Sequence, residues 1–271
     1  MYFEHKTIII TGASSGIGKA CAEEFARKGA NLVLAARQYT TLCEIVKDLE
    51  TRFKIKAIAV QCDVSNEDDC KNLIERAVST FKTIDVLINN AGVSMRALFK
   101  DLDLIVLKKL MDVNFWGAVY CTKYALPELL KSKGSVVGVS SGAVYHGFLG
   151  RTGYSASKFA LNGFLESLRI ENLKTGLHVL IASPGFTASN IRYTALVKDG
   201  AQQGDTSMDE GKMMTAERTA ELLVKAVVKR NRTLIITAQA KLMVFLDKIV
   251  PARLDNLLYK HFTKEKDPLI T

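Results

Sequence analysis

No apolar run in the 271-residue sequence approaches the ~18–20 residues that a membrane-spanning helix needs. A signal peptide is also hard to place, because an apparent strand begins at Lys6 behind Glu4 and His5. Prolines number only 4 and apolar residues make up 48%, which excludes collagen-like, low-complexity and disordered chains. The five cysteines, Cys21, Cys43, Cys62, Cys70 and Cys121, contain no C-x-x-C pair. Their odd number and irregular spacing fit reduced, buried thiols, and the expectation is a soluble cytoplasmic protein. Basic residues outnumber acidic ones, 37 to 28, for a net charge of +9. That surplus favours a phosphorylated cofactor or an acidic membrane surface. The clusters Lys229-Arg230-Arg232 and Lys264/Lys266 are short, and no helix interleaves bases with aromatics, so nucleic acid is not expected as a partner.

What is present is alternation. Short β-branched runs read as strands: Thr7–Ile10, Asn31–Leu34, Ala57–Val60, Asp85–Ile88, Ser135–Val139, His178–Ile181 and Thr233–Ile236. Each is apolar on both faces, as in strands buried within a parallel sheet. Helical periodicity fills the gaps, at Ile17–Lys28, Tyr39–Arg52, Glu67–Phe81, Val113–Leu130 and Ser155–Lys174. The pattern predicts one doubly wound α/β domain with helices on both faces, over residues 1–237. Residues 238–271 are expected to form a C-terminal helical extension of it. Asn190–Thr215 lacks periodicity and reads as a long mobile loop, of the kind used for lids and binding.

The first strand runs into Thr11-Gly12-Ala13-Ser14-Ser15-Gly16-Ile17-Gly18 and then directly into a helix. Glycines there permit a tight turn and close approach of backbone to ligand, and the helix N-terminus favours a pyrophosphate. The spacing is G-x-x-x-G-x-G, so the usual dinucleotide fingerprint is not matched literally, and a plain turn is the alternative. At the end of the second strand Ala35-Ala36-Arg37 carries no carboxylate for a ribose 2′-hydroxyl. Arg37 can instead pair with a 2′-phosphate through its planar fork, which predicts NADP(H) over NAD(H).

Tyr154 and Lys158 lie at i and i+4 on one helix face. A nearby ammonium favours tyrosinate, and such a phenol can pass a proton to a carbonyl oxygen while hydride arrives at carbon. Ser141, just past a buried strand, could hold the same oxygen. A Y-x-x-x-K pair alone is weak, since many helix surfaces carry one by chance. Together with Asn89-Asn90-Ala91-Gly92, Asn114 and Pro184-Gly185, however, these residues resemble, in order and spacing, the short-chain dehydrogenases/reductases. The resemblance covers residues from about 6 to 236. Within the family it is closest to the 11β-hydroxysteroid dehydrogenase and member-7 type branch, on Asn89–Arg96, the loop after Gly185 and the C-terminal extension.

The resemblance implies a seven-stranded Rossmann sheet that both binds the cofactor and carries catalysis. It makes Tyr154 the general acid/base and gives Lys158 the tasks of lowering the phenol's pKa and touching the nicotinamide ribose. Ser141 would orient the carbonyl, and Asn114 would support a water-mediated relay to Lys158. Cofactor contacts are implied for Gly12, Ser14, Ser15, Gly16, Ile17, Gly18, Arg37, Asp63, Val64, Asn90, Ala91, Gly92, Tyr154, Lys158, Pro184, Gly185 and Thr187. The expected substrate is a lipophilic carbonyl or secondary alcohol, steroid-like or a long-chain keto-lipid, and the expected assembly is a homodimer or homotetramer. No metal site is expected.

Other readings have their own residues. A 3-ketoacyl-thioester reductase is a less similar relative, because such chains end soon after the last strand. Gly138-Val139-Ser140-Ser141-Gly142 matches the G-x-S-x-G nucleophile elbow of α/β serine hydrolases, but no helical period follows it. A non-catalytic nucleotide-binding protein would not need Asn114, Ser141, Tyr154 and Lys158 together. His146 is read as a loop residue, with a place facing substrate as the alternative. In the extension, Leu242, Met243, Phe245, Leu246, Ile249 and Val250 share a helical face, and Leu254, Leu257, Leu258 and Phe262 repeat the arrangement. Such basic amphipathic stretches over 239–262 either pack on the cleft or a subunit interface, which is commoner, or make peripheral membrane contact.

Overall fold

The computed structural model describes residues 2–206, 211, 213–264 and 269–270. Seven parallel strands form one sheet in the order β3-β2-β1-β4-β5-β6-β7. They are β1 (Thr7–Thr11), β2 (Asn31–Ala36), β3 (Ala57–Gln61), β4 (Val86–Asn89), β5 (Ser135–Val139), β6 (His178–Ser183) and β7 (Thr233–Ile235). Alternation decides the two faces: Ile8 and Ile10 point into one apolar layer, and Ile9 into the other. The first layer is roofed by α1 (Gly16–Arg27), α2 (Tyr39–Phe53) and α7 (Ala216–Val228). The second is roofed by α3 (Glu67–Phe81), α5 (Gly117–Lys131) and α6 (Thr152–Glu171). Strand order reverses between β1 and β4, so the carboxyl ends of those strands open a crevice where ligands of such sheets bind.

Two elements depart from the sequence reading. The expected helix at Val113–Leu130 belongs to a longer run: α4 (Leu104–Met111), one π-helical turn at Asp112–Trp116, and α5. The π turn carries Asn114, which is buried, and extra-residue turns of this kind recur at functional sites. The segment expected as a mobile loop from Asn190 is instead packed, as far as it lies within the described residues. Leu196 joins Met95, Val106 and Leu110 in a third apolar cluster and makes a parallel bridge to Met95. Thr187 bridges Met214 in the same way. Its lack of periodicity reflects bridge pairing with distant segments, which leaves no local sequence pattern. Ser207–Glu210 and Lys212 lie outside the described residues, as does Lys266 of the basic clusters.

The extension consists of α8 (Ala238–Ile249) and α9 (Pro251–Phe262). Thr237 caps α8 through Ala240 N, and Pro251 opens α9 at a position that lacks a required donor.

Candidate active site

The turn after β1 is built by backbone. Gly12 and Gly16 adopt left-handed φ values of +64° and +51°. A side chain at Gly12 would meet Ala91 Cα at 2.9 Å. The Thr11 hydroxyl accepts from the amides of Asn90 and Ala91, both at 3.0 Å. Asn90 Nδ2 donates to Thr11 O at 2.9 Å and Gly12 O at 3.2 Å. Asn90 therefore fixes the turn with its side chain while bordering the cleft. At the start of α1, Ser15 makes no side-chain cap and no acidic residue occupies the first turn. The N-terminal amides are left for an anion, which is what a pyrophosphate requires.

A cleft of about 500 Å³ opens above these strand ends. Its wall includes Gly12, Ser14, Ser15, Gly16, Ile17, Arg37, Asp63, Val64, Asn90, Ala91, Gly92, Pro184, Gly185 and Thr187. Ser141, Tyr154 and Lys158 line the same cleft. Arg37 stands exposed at the end of β2 and makes no ion pair among the described residues. Asp63 holds its own turn by accepting from Ser65 N at 3.0 Å and Ser65 Oγ at 2.7 Å. Thr187 is buried and bonds Gly185 O and Thr219 Oγ1. The donors, the glycine cradle and the free cation fit a phosphorylated dinucleotide.

Gly18 is placed differently from the other expected contacts. It lies off the cleft wall, and a Cβ there would strike Gly12 O and Asn90 Nδ2, so its role is close packing of α1 on the β1 turn. Asn114 also stays off the wall. Its Oδ1 accepts from Val93 N at 2.8 Å, and its Nδ2 donates to Val93 O and Ser157 Oγ, each at 2.9 Å. This clamps the π turn to α6 and to the strand end beside Gly92.

The electrostatics of the catalytic group differ from the sequence expectation. Burial pushes the Tyr154 phenol up, and the Ser141 hydrogen bond and the Arg151 guanidinium push it down. Lys158 is buried and donates to Val139 O at 2.9 Å, with Nζ 6.0 Å from the Tyr154 ring centroid. Burial lowers its own pKa to about 8. The lysine thus sits over the ring, and the guanidinium of Arg151, a residue the sequence reading missed, adds a smaller push on the phenol than burial or Ser141. Arg151 precedes Tyr154 by three residues and caps α6, ahead of the periodicity that would place it. Arg151 is held by Ser94 Oγ at 2.9 Å and by Met95 O. Also missed were Lys109, Phe148, Phe186 and Arg192 on the wall. Arg192 is buried and donates to Thr187 O at 2.7 Å. Nothing local in its segment marks it.

The hydrolase geometry is absent. Ser140 is buried and donates to Asn162 Oδ1 at 2.7 Å, and no imidazole bonds it among the described residues. After Ser141 comes one 3₁₀ turn, Gly142–Val144, and α6 begins only at Thr152. A nucleophile elbow needs its helix at once.

The family profile for short chain dehydrogenases matches residues 6–199. An 11-beta-hydroxysteroid dehydrogenase-like 2 from Arabidopsis thaliana is 42% identical over 196 residues, covering 70% of this chain and 63% of that relative. A dehydrogenase/reductase SDR family protein 7-like from Dictyostelium discoideum is 32% identical over 264 residues, covering 95% of this chain and 82% of the relative. A short-chain dehydrogenase from Sphingobium yanoikuyae, solved in complex with NADPH, superposes with a TM-score of 0.75 at 25% identity. That superposition covers 94% of this chain and 93% of the other. The chain belongs to the short-chain dehydrogenase family.

Proposed function

We propose that the protein is an NADP(H)-dependent oxidoreductase that interconverts a lipophilic ketone and its secondary alcohol. The observation that carries this reading is one cleft walled by the Gly12–Gly16 turn, the unpaired Arg37, and the Ser141–Tyr154–Lys158 group. The related proteins named as hydroxysteroid dehydrogenases, and the NADPH complex, support it. Arg37 holds the 2′-phosphate, the α1 amides hold the pyrophosphate, and Lys158 takes the nicotinamide ribose. The bound dinucleotide supplies or accepts the hydride.

Tyr154 gives its phenolic proton to the carbonyl oxygen in reduction and takes it back in oxidation. Ser141 donates to that oxygen and orients it. Arg151 stabilises the phenolate that forms. Asn114 holds the π turn so that a water can link Lys158 to solvent and replace the proton. The substrate end of the cleft is walled by Phe148, Phe186 and Leu196, which suits an apolar body behind the carbonyl.

Pairing along the α5 and α6 side is supported by uncovered apolar residues there, with Trp116, in the π turn ahead of α5, 43% exposed and Phe159 on α6 48% exposed. Leu242, Phe245 and Ile249 on the outer side of α8 are exposed as well, and with Lys241 and Lys248 they are the face that would meet an acidic membrane surface. Co-sedimentation with anionic vesicles checks that contact.

The reading is tested with NADPH, an 11-keto steroid and 2-decanone. Tyr154→Phe is expected to lower kcat by about 100-fold or more while NADPH binding persists. Unchanged turnover in Tyr154→Phe would remove Tyr154 as the acid/base, and NADPH binding without any turnover in the parent would make the protein a nucleotide binder.

A further inference from the structure

Between Ser141 and Tyr154 the chain makes the substrate-side wall of the cleft, yet this stretch has little structure of its own. It holds a 3₁₀ turn, then a bend through His146, Gly147 and Phe148. Tyr145 reaches Ser183 Oγ at 3.4 Å and Gly150 O accepts from Ala97 N at 3.1 Å, and the C-terminal extension supplies further contacts along it. Thr237, at the head of α8, closes on Gly185, where a Cβ would lie 2.5 Å from Thr237 Cγ2. Met243 of α8 stands over Gly142, 3.5 Å from the position of a Cβ there. The Phe148 ring lies 5.5 Å from that of Phe262 at the end of α9. Leu269 fills the space beside Gly150.

At the centre is His146. Its Nδ1 lies 2.7 Å from Asp247 Oδ1 on α8, and its Nε2 lies 2.9 Å from Asp255 Oδ1 on α9. The imidazole is only 12% exposed, while the two carboxylates are 32% and 70% exposed. Each ring nitrogen faces a carboxylate oxygen on a different helix, so one ring serves both α8 and α9. A surface ion pair contributes little by itself. This one joins two helices to the stretch 142–153 between two residues of the catalytic group, and Phe148, two residues on, lines the cleft.

We propose that His146 is a positioning residue: clasped by Asp247 and Asp255, it docks the α8–α9 hairpin onto the 142–150 segment and so sets the substrate wall at Phe148. It acts through that wall and touches neither cofactor nor reacting atoms. The proposal rests on the ketone-reductase reading for its kinetic consequence and stands apart from it structurally. With the clasp released, Phe148 loses its backing from Phe262, and bulky substrates lose a surface. The cofactor half of the cleft, built from β1, α1 and β2, is untouched.

The test uses the full chain carrying His146→Ala, and separately the double variant Asp247→Asn with Asp255→Asn, whose partly exposed side chains keep the fold safe. Three readouts are taken: amide hydrogen exchange of 142–150 and 239–262, NADPH affinity by nicotinamide fluorescence, and KM and kcat with an 11-keto steroid. The expected result is faster exchange in both segments and a KM about tenfold higher, with kcat within about threefold and NADPH affinity unchanged. Combining all three substitutions should add nothing to His146→Ala, because one interaction is removed either way. Unaltered exchange in 142–150 overturns the proposal, and so does an NADPH affinity that falls in step with KM. Should the unmodified enzyme turn over no ketone, the functional reading fails and exchange alone decides the clasp.

Discussion

Lys158 is a buried cation whose ammonium bonds one carbonyl, Val139 O, and whose pKa is lowered to about 8. The unfolded chain holds that proton to about pH 10.4, so between about 8 and 10.4 the unfolded state binds more protons and stability from this residue rises with pH. Lys158→Met is therefore expected to be more stable than the parent at pH 7, with a gap that narrows by up to about 3 kcal/mol by pH 10 in urea unfolding. A constant gap across that window would contradict the burial argument. Arg151 and Ser141 act on Tyr154 with the opposite sign to burial. Removing either raises the phenol's pKa, so Arg151→Gln is expected to move the pH optimum of alcohol oxidation upward, as measured by the pH profile of kcat/KM. Tyr154 and Lys158 were legible as a pair because i and i+4 share a helix face, and Ser141 because it stands just past a buried strand. The contribution of Arg151 to the phenol was not, because the chain ahead of α6 carries no periodicity that places it. His146 was read as a plain loop residue since its partners lie about 100 residues away and no local pattern announces them.

At the scale of elements, the seven strands were readable from short apolar runs and the α3 helix from its periodicity, while the Asn66 cap, whose side chain accepts from Asp68 N and Asp69 N, emerges only in the structure. Buried parallel strands need no alternation, and β-branched residues mark them. The π turn escaped because the sequence around Asn114 keeps helical character through it, and the extra residue is selected by the clamp to Val93 and Ser157. Gly138 shows how tightly β5 and α6 meet: a Cβ there would run into Leu165 Cδ1. Gly138→Val is expected to destabilise the domain by about 1–3 kcal/mol, read as a lower urea midpoint at unchanged slope. A midpoint equal to that of the parent would show that the β5–α6 layer can spread freely.

For the whole molecule, a single doubly wound sheet opens one cleft at the carboxyl ends of its strands around the β1–β4 switch, and Thr237 and Met243 of the extension pack against the turns at Gly185 and Gly142 beside it. The surplus of positive charge would suit the cofactor with an extra phosphate proposed above, with Arg37 as its local point of contact. Uncovered Trp116, in the π turn ahead of α5, and Phe159 on α6 lead to the expectation that the protein sediments as a homodimer or homotetramer. Trp116→Glu with Phe159→Glu should shift it to smaller species in analytical ultracentrifugation. The central claim, that this cleft binds NADP(H) through Arg37, is tested most directly by titrating the purified chain with NADPH and NADH in parallel, before and after Arg37→Ala. The account predicts tighter binding of NADPH, by about tenfold or more, and loss of that preference in the variant. Equal affinity for both cofactors in the parent chain, or a preference that survives Arg37→Ala, would contradict it.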